Sequence, residues 1–119
     1  MFAKEVLLDS SGADVVVSDG KYECCAFSYP CQIQEGEEIS SPLIVFETGN
    51  VIKSTASEVS IQPQKSLSKY NYWIVARVVN ITSGEISVGG LRMLLNANIL
   101  PGDIREDEMI ELAAVRIDL

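Results

Sequence analysis

Residues 13–27, ADVVVSDGKYECCAF, decide the fold class, because a turn dipeptide separates two runs of strand-forming residues. That dipeptide, Asp19-Gly20, favours the positive φ angles of a two-residue type I′ turn. Such a turn places Val17 opposite Tyr22 in an antiparallel hairpin whose side chains alternate between two faces. The predicted core face contains Ala13, Val15, Val17, Tyr22, Cys24 and Ala26, and the predicted outer face contains Asp14, Val16, Glu23 and Cys25.

A second hairpin is predicted in residues 72–89, YWIVARVVNITSGEISVG, around the dipeptide Ser83-Gly84. The expected apolar pairs across this turn are Ile81 with Ile86 and Val79 with Val88. Residues 70–81 are apolar on both faces over much of their length, which is typical of a strand buried on both sides. This strand should therefore lie centrally in the sheet.

Shorter β segments are predicted on either side of the two hairpins. They are a strand over residues 4–8, a strand over 42–46 that returns as 51–53 through Thr48-Gly49-Asn50, and a long loop or edge strand within 55–68. The pair Gly89-Gly90 predicts a bend or bulge that would help to close the sheet. A short helix over residues 91–95 is a further option.

The C-terminal residues fit two interpretations. Asp103 and Glu106 have the spacing of a helix cap and precede an apolar helical face. Residues 115–119 instead alternate apolar and charged side chains, which is the pattern of a half-buried strand. We favour a strand that begins at about residue 109.

Together these segments amount to seven or eight short β-strands in a chain of 119 residues, a length that suits one domain, 1–119. The predicted fold class is all-β and mainly antiparallel, in the form of a small, partly closed β-barrel. The arrangement is similar at fold level to oligonucleotide/oligosaccharide-binding (OB) barrels. The alternatives are a β-sandwich and a barrel with a short C-terminal helix.

The formal net charge of −8 is spread unevenly along the chain. Residues 1–50 carry two lysines against nine acidic residues, a net charge of −7, whereas residues 51–77 carry four basic residues against one acid, a net charge of +3. Residues 78–119 carry three arginines against seven acids, a net charge of −4. Because this acidity repels phosphate backbones, it favours basic protein partners and disfavours general nucleic-acid binding.

Composition also bears on location. Apolar residues make up 47% of the chain, which is too many for a disordered protein. No apolar run approaches the ~20 residues that a membrane-spanning helix needs, and the N-terminus lacks a signal-peptide pattern. We therefore expect a soluble, cytoplasmic protein with no membrane partner.

Motifs for catalysis and for metal binding are missing from the sequence. It contains no histidine, the commonest general base, and no Gly-x-Ser-x-Gly, Walker or dinucleotide-binding pattern. Cys24 and Cys25 are neighbours on a predicted strand, so their side chains diverge, which is a poor geometry for binding one metal ion together. We expect no cofactor, no metal and no enzymatic activity. Cys25, on the more polar face, is the candidate if one thiol is reactive.

One aromatic and basic cluster deserves consideration as a ligand-binding surface. Its members are Lys69, Tyr70, Tyr72, Trp73 and Arg77. On a barrel face, aromatic rings can stack on unpaired bases while cations hold phosphate, which would make a single-stranded nucleic-acid-binding module of OB-like form. Tyr72 and Trp73, however, point to opposite sides of a strand, and such aromatic residues more often fill a core.

The leading functional hypothesis is a non-enzymatic binding or assembly module. A core that is sufficient for folding, without catalytic motifs and with an acidic N-terminal half, fits a protein that presents a β surface to a protein partner. That partner could be a second copy of the chain or a basic protein, whose association would be accelerated by charge complementarity. The nucleic-acid-binding module described above is the alternative.

Overall fold

Nine β-strands make up the fold in the computed structural model, which describes residues 1–64 and 69–119, except for the side chains of 47–49. The strands are β1 (Phe2–Asp9), β2 (Gly12–Ser18), β3 (Glu23–Ser28), β4 (Leu43–Lys53), β5 (Ser60–Pro63), β6 (Tyr72–Asn80), β7 (Glu85–Val88), β8 (Leu91–Leu94) and β9 (Met109–Asp118). The helical structure in the described ranges is a single 3-10 turn, Ala97–Ile99. The predicted all-β class is therefore confirmed.

Five of the strands close into a barrel. Around the ring, β4 pairs with β9, β9 with β6, β6 with β7 and β7 with β8, all antiparallel. The ring closes through a short parallel contact between β8 and β4. The structure is thus a closed mixed β-barrel with additional strands, in agreement with the predicted small barrel, while the resemblance to OB barrels stays a prediction.

The additional strands extend the sheet beyond the barrel. β1, β2 and β3 form an antiparallel meander, which joins the barrel where Phe27 lies beside Asp118 in a parallel contact between β3 and β9. The backbone N–H of Leu119 donates a hydrogen bond of 2.8 Å to the carbonyl of Phe27 at the same place. The meander and the barrel therefore form one sheet, because β9 bridges them.

The core follows the alternation of side chains on the strands. On β9, Ile110, Leu112 and Ala114 point inwards and are buried, as do Ile74 and Ala76 on the adjacent β6. The buried side chains of the meander belong to the same hydrophobic cluster as those of the barrel. Burial of this shared cluster is the main term that stabilises the fold.

The predicted register of the first hairpin is wrong by two residues, because the loop is longer than a two-residue turn. Val17 lies opposite Cys24 instead of Tyr22. The carboxylate of Asp19 accepts hydrogen bonds from the backbone N–H groups of Lys21 and Tyr22, at 2.8 and 2.6 Å. These bonds stabilise a four-residue loop. A shift of two keeps each side chain on its predicted face, so the assignment of core and outer faces is confirmed for the strands.

The second hairpin differs from its prediction by an odd number of residues, which exchanges the two faces. Ile86 lies opposite Val78 rather than Ile81. The side chain of Asn80 ends β6 early, because its Oδ1 accepts hydrogen bonds of 2.9 Å from the backbone N–H groups of Thr82 and Ser83. Ile81 and Val79, which the sequence placed on the apolar face, are both exposed.

Three smaller predictions are also corrected. The segment Thr48-Gly49-Asn50 is not a hairpin turn, since β4 runs through it as one strand that pairs with β9 along both of its halves. Of the two options stated for Gly89-Gly90, the bulge is wrong, because the pair forms the tight turn that connects β7 and β8. Residues 91–94 form a strand instead of a helix, because they pair with β7 and, at one end, with β4.

Other predictions are confirmed. The C-terminal segment is a strand from Met109, which removes the alternative with a C-terminal helix. The strongest predicted strand, β6, is central, with β9 on one edge and β5 and β7 on the other. Within residues 55–68, β5 is an edge strand as one of the two options stated, while residues 65–68 lie outside the described part of the chain.

Candidate functional site

The five residues of the predicted nucleic-acid surface do not converge. Tyr72 is buried, and its hydroxyl accepts a hydrogen bond of 2.8 Å from the backbone N–H of Cys25, so it ties the meander to the barrel. Trp73 is half-buried on the opposite face of β6. Arg77 lies four residues beyond Trp73 along β6, about 13 Å away at the rise of a β-strand. Its guanidinium donates a hydrogen bond to the carbonyl of Asp107.

Lys69 and Tyr70, the other two predicted residues, meet at a buried carboxylate. The ammonium of Lys69 and the hydroxyl of Tyr70 both donate hydrogen bonds to the side chain of Asp14 on β2. Burial opposes the charged form of Asp14, but the two hydrogen bonds and the charge of Lys69 outweigh it, so the pKa of Asp14 lies below its usual value. Asp14 is thus a neutralised anion within the outer face.

An aromatic stack lies beside this anion. The guanidinium of Arg116 on β9 sits over the rings of Phe27 on β3 and Phe46 on β4, 5.4 and 5.5 Å from their centroids. Asp118 holds it in place through two hydrogen bonds of 2.6 and 2.7 Å. Phe27 also packs edge-on against Tyr70, with 6.4 Å between ring centroids. Phe46 is 45% exposed, so the stack faces solvent at one end.

Strand pairing extends the stack into a surface that crosses five strands. Leu7 pairs with Asp14, Asp14 with Phe27, Phe27 with Asp118 and Asp118 with Ile44, which places one residue each of β1, β2, β3, β9 and β4 in a row. We call this row, together with its neighbours, the outer strip. The outer strip consists of Leu7, Asp14, Phe27, Ile44, Phe46, Lys69, Tyr70, Arg116 and Asp118. Leu7, Ile44 and Phe46 expose large apolar surface there.

A separate cleft of about 340 Å³ lies between the meander and the β5–β6 pair, and it contains the half-buried Cys25. Burial, and then the charge of Asp14, raise the pKa of the Cys25 thiol. Burial raises the pKa of Cys24 to about 12. Because both shifts disfavour the thiolate, which is the nucleophilic form, the geometry gives no support to a reactive cysteine.

Comparisons of the chain with protein-family models, with curated proteins and with solved structures found no match. In the described ranges, the side chains of Cys, Asp and Glu do not gather in groups of three or more that could hold a metal ion. The same ranges also contain no helix with the length and apolar character that crossing a membrane requires. The cytoplasmic location stays a prediction. The candidate site is therefore defined by the outer strip itself.

Sequence reasoning missed most of the outer strip. Of its nine members, the predicted binding residues included only Lys69 and Tyr70. One signal was present, since Asp14 is a carboxylate within a run of β-branched residues, where a charged side chain needs a partner. The stack itself had no local signal, because Phe27, Phe46 and Arg116 are distant in sequence and meet only through strand pairing.

We expect the contacts of Asp14 with Lys69 and Tyr70 to make the free energy of unfolding fall as the pH is lowered. The folded state holds the pKa of Asp14 below its unfolded value of about 3.9, so its contribution is present above that pH and is lost as pH falls through the folded pKa. Asp14→Asn should lower the free energy of unfolding at neutral pH by only about 1 kcal/mol, because Lys69 stays largely hydrated. The variant should also lose less stability than the wild type when the pH is lowered.

Urea titrations at neutral pH and in acid measure this difference. Glu5→Gln, which removes an exposed carboxylate on β1, is the control and should follow the wild type at both pH values. If the free energy of unfolding falls equally in wild type and Asp14→Asn between neutral and acidic pH, a stabilising role for the Asp14 carboxylate is contradicted.

Proposed function

We propose that this chain is a non-enzymatic binding or assembly module that presents the outer strip to a protein partner. The observation that carries the proposal is the Phe27–Arg116–Phe46 stack, in which Asp118 accepts two hydrogen bonds from Arg116 and Phe46 is open to solvent. Aromatic residues and arginine are the side chains that most often dominate binding energy in protein interfaces.

The internal contacts of the outer strip add support. Seven of its nine members lie on paired strands, Lys69 and Tyr70 lie in the turn before β6, and its charged groups contact one another in the Lys69–Asp14 and Arg116–Asp118 ion pairs. A surface whose side chains are already ordered loses little conformational entropy when a partner covers it, so more of the contact energy remains as affinity. The exposed Leu7 and Ile44 supply apolar area around the stack.

The alternative function, binding of single-stranded nucleic acid, receives less support from the geometry. It requires stacking residues and cations on one face, whereas Tyr72 is buried, Trp73 is on the other side of the strand and Arg77 is distant from both. Lys69, the remaining cation, already pairs with Asp14. This alternative stays a prediction.

Affinity capture with matched variants tests the proposal. Tagged wild type, Phe46→Asp and Ile81→Asp are exposed to nuclease-treated lysate of cells that express the chain, and retained proteins are identified by mass spectrometry. Ile81 is a suitable control because its exposed fraction, 43%, is similar to the 45% of Phe46. It lies outside the outer strip. We expect a protein that wild type and Ile81→Asp retain and that Phe46→Asp loses. Retention by all three baits alike, or no retained protein, would overturn the proposal unless the chain binds itself through the strip.

A further inference from the structure

We infer that the protein partner of the outer strip is a second copy of this chain. The inference rests on the proposed function and narrows it to one occupant. It is carried by the distribution of charge over the fold, by the pairing of the polar groups of the outer strip within the chain, and by the size of the strip.

Charge is the first argument. With a net charge of −8, two copies repel each other across most of their surfaces. In the outer strip, however, each carboxylate is neutralised within the chain, Asp14 by Lys69 and Asp118 by Arg116. The nine members of the strip therefore carry no net charge. The like charges that two copies bring together are those of Glu5 and Asp9, which flank Leu7 on the same face of β1 at one end of the strip.

The same pairing argues against a basic partner at this surface. A basic protein gains affinity from carboxylates that are available to its own cations, but here Lys69, Tyr70 and Arg116 already occupy the oxygens of Asp14 and Asp118. What the strip offers instead is apolar and aromatic area with internally satisfied polar groups. A two-fold dimer requires such a self-complementary surface, because the same patch is used on both sides.

Size is the third argument. A stable interface buries roughly 800 Å² on each partner, which corresponds to a patch about 28 Å across. The strip crosses five strands, whose four spacings span about 19 Å, and the side chains of the two outer strands extend it further. Leu7 at one end is 61% exposed and Ile44 at the other end is 39% exposed, so apolar area is available at both ends of the row.

Sedimentation velocity over a range of protein concentrations tests the inference at about 0.03 M and about 0.3 M NaCl. We expect a reversible dimer that becomes tighter at the higher salt concentration, because salt screens the repulsion between two chains of charge −8. Phe46→Asp should raise the dissociation constant by about 30-fold or more, since it places a charge in an apolar contact. Ile81→Asp should leave it unchanged.

A pair of charge variants tests the neutralisation argument directly. Arg116→Gln leaves Asp118 without its counter-ion, so two carboxylates would face the contact and the dimer should weaken, most strongly at low salt. Adding Asp118→Asn to this variant removes the charge and should restore part of the affinity. Circular dichroism and urea midpoints establish that each variant folds before its association is compared.

Three results would overturn the inference. They are a chain that stays monomeric at every concentration, a dimer that Phe46→Asp leaves intact, and a dimer that dissociates as salt is raised. A monomeric chain that still retains another protein through Phe46 would remove the second copy as the partner while leaving the proposed function in place. A dimer that Phe46→Asp weakens supports both the proposed function and the second copy as the partner.

Discussion

Gly84→Ala is expected to lower the free energy of unfolding by about 3 kcal/mol or more, because it combines backbone strain with a clash. Gly84 has a φ of +81°, in the left-handed region that favours glycine. A Cβ atom at this position would lie 2.2 Å from the carbonyl oxygen of Leu95. That oxygen belongs to the backbone of the segment that follows β8, so relief requires the β6–β7 turn to move away from its neighbour.

Gly36→Ala is the matched control for this prediction. Gly36 also has a positive φ, +88°, but nothing lies within 4 Å of the Cβ position. The control should therefore cost only the strain, about 1 kcal/mol. Urea unfolding followed by Trp73 fluorescence gives both values. Equal losses in the two variants would mean that the turn absorbs the clash with Leu95.

The turn at Gly84 also illustrates what local sequence can predict about this fold. Both hairpins exist where the dipeptides Asp19-Gly20 and Ser83-Gly84 placed them, because glycine and β-branched runs are local signals. Their registers were not predictable in the same way. In each case a polar side chain, Asp19 or Asn80, binds backbone N–H groups of the loop and lengthens it.

Whether the register shift was even or odd decided whether the predicted core and surface faces were correct. A shift of two residues at the first hairpin left every side chain on its predicted face, so Val17 and Cys24 are buried as expected. A shift of three at the second hairpin turned Val79 and Ile81 outwards and Val78 inwards. Since β side chains alternate with a period of two, only odd errors exchange core and surface.

Strand β4 shows a limit of local signals that comes from long-range pairing. Thr48-Gly49-Asn50 has the composition of a turn, yet the chain continues because β9 is ten residues long and pairs with segments on both sides of it. The register shifts at two places along this pair, which accommodates the turn-like residues within the strand. No local pattern reveals that such a partner exists about 60 residues later in the chain.

The outer strip, like the length of β4, results from pairing between strands that are distant in sequence. Leu7, Phe27 and Asp118 share one row only because three separate strand pairings have these particular registers. Sequence alternation predicted the face of Asp14 correctly, but it could not indicate that Lys69 and Tyr70 would be brought to that carboxylate. A site that is assembled by register can be recognised from the sequence only after the registers are known.

Leu112→Ala should lower the free energy of unfolding by about 3 kcal/mol, because it opens a cavity at the centre of the barrel. Leu112 is 1% exposed and lies opposite Ile74, in the part of β9 that pairs with β6. Strand pairing joins the meander to the barrel at the far end of β9, and the two parts share one hydrophobic cluster, so loosening of this strand affects both parts of the sheet. We therefore expect one cooperative transition at a lower midpoint rather than separate melting of the meander.

Leu8→Ala makes the same chemical change at the surface and serves as the control for this prediction. Leu8 is 75% exposed on β1, so the control should change stability by less than about 0.5 kcal/mol. Thermal and urea unfolding, recorded by circular dichroism and by Trp73 fluorescence, measure both variants. Equal losses in the two variants would contradict a core centred on β9. Two transitions in Leu112→Ala would contradict the coupling of meander and barrel, since separate melting requires that β9 does not link their packing.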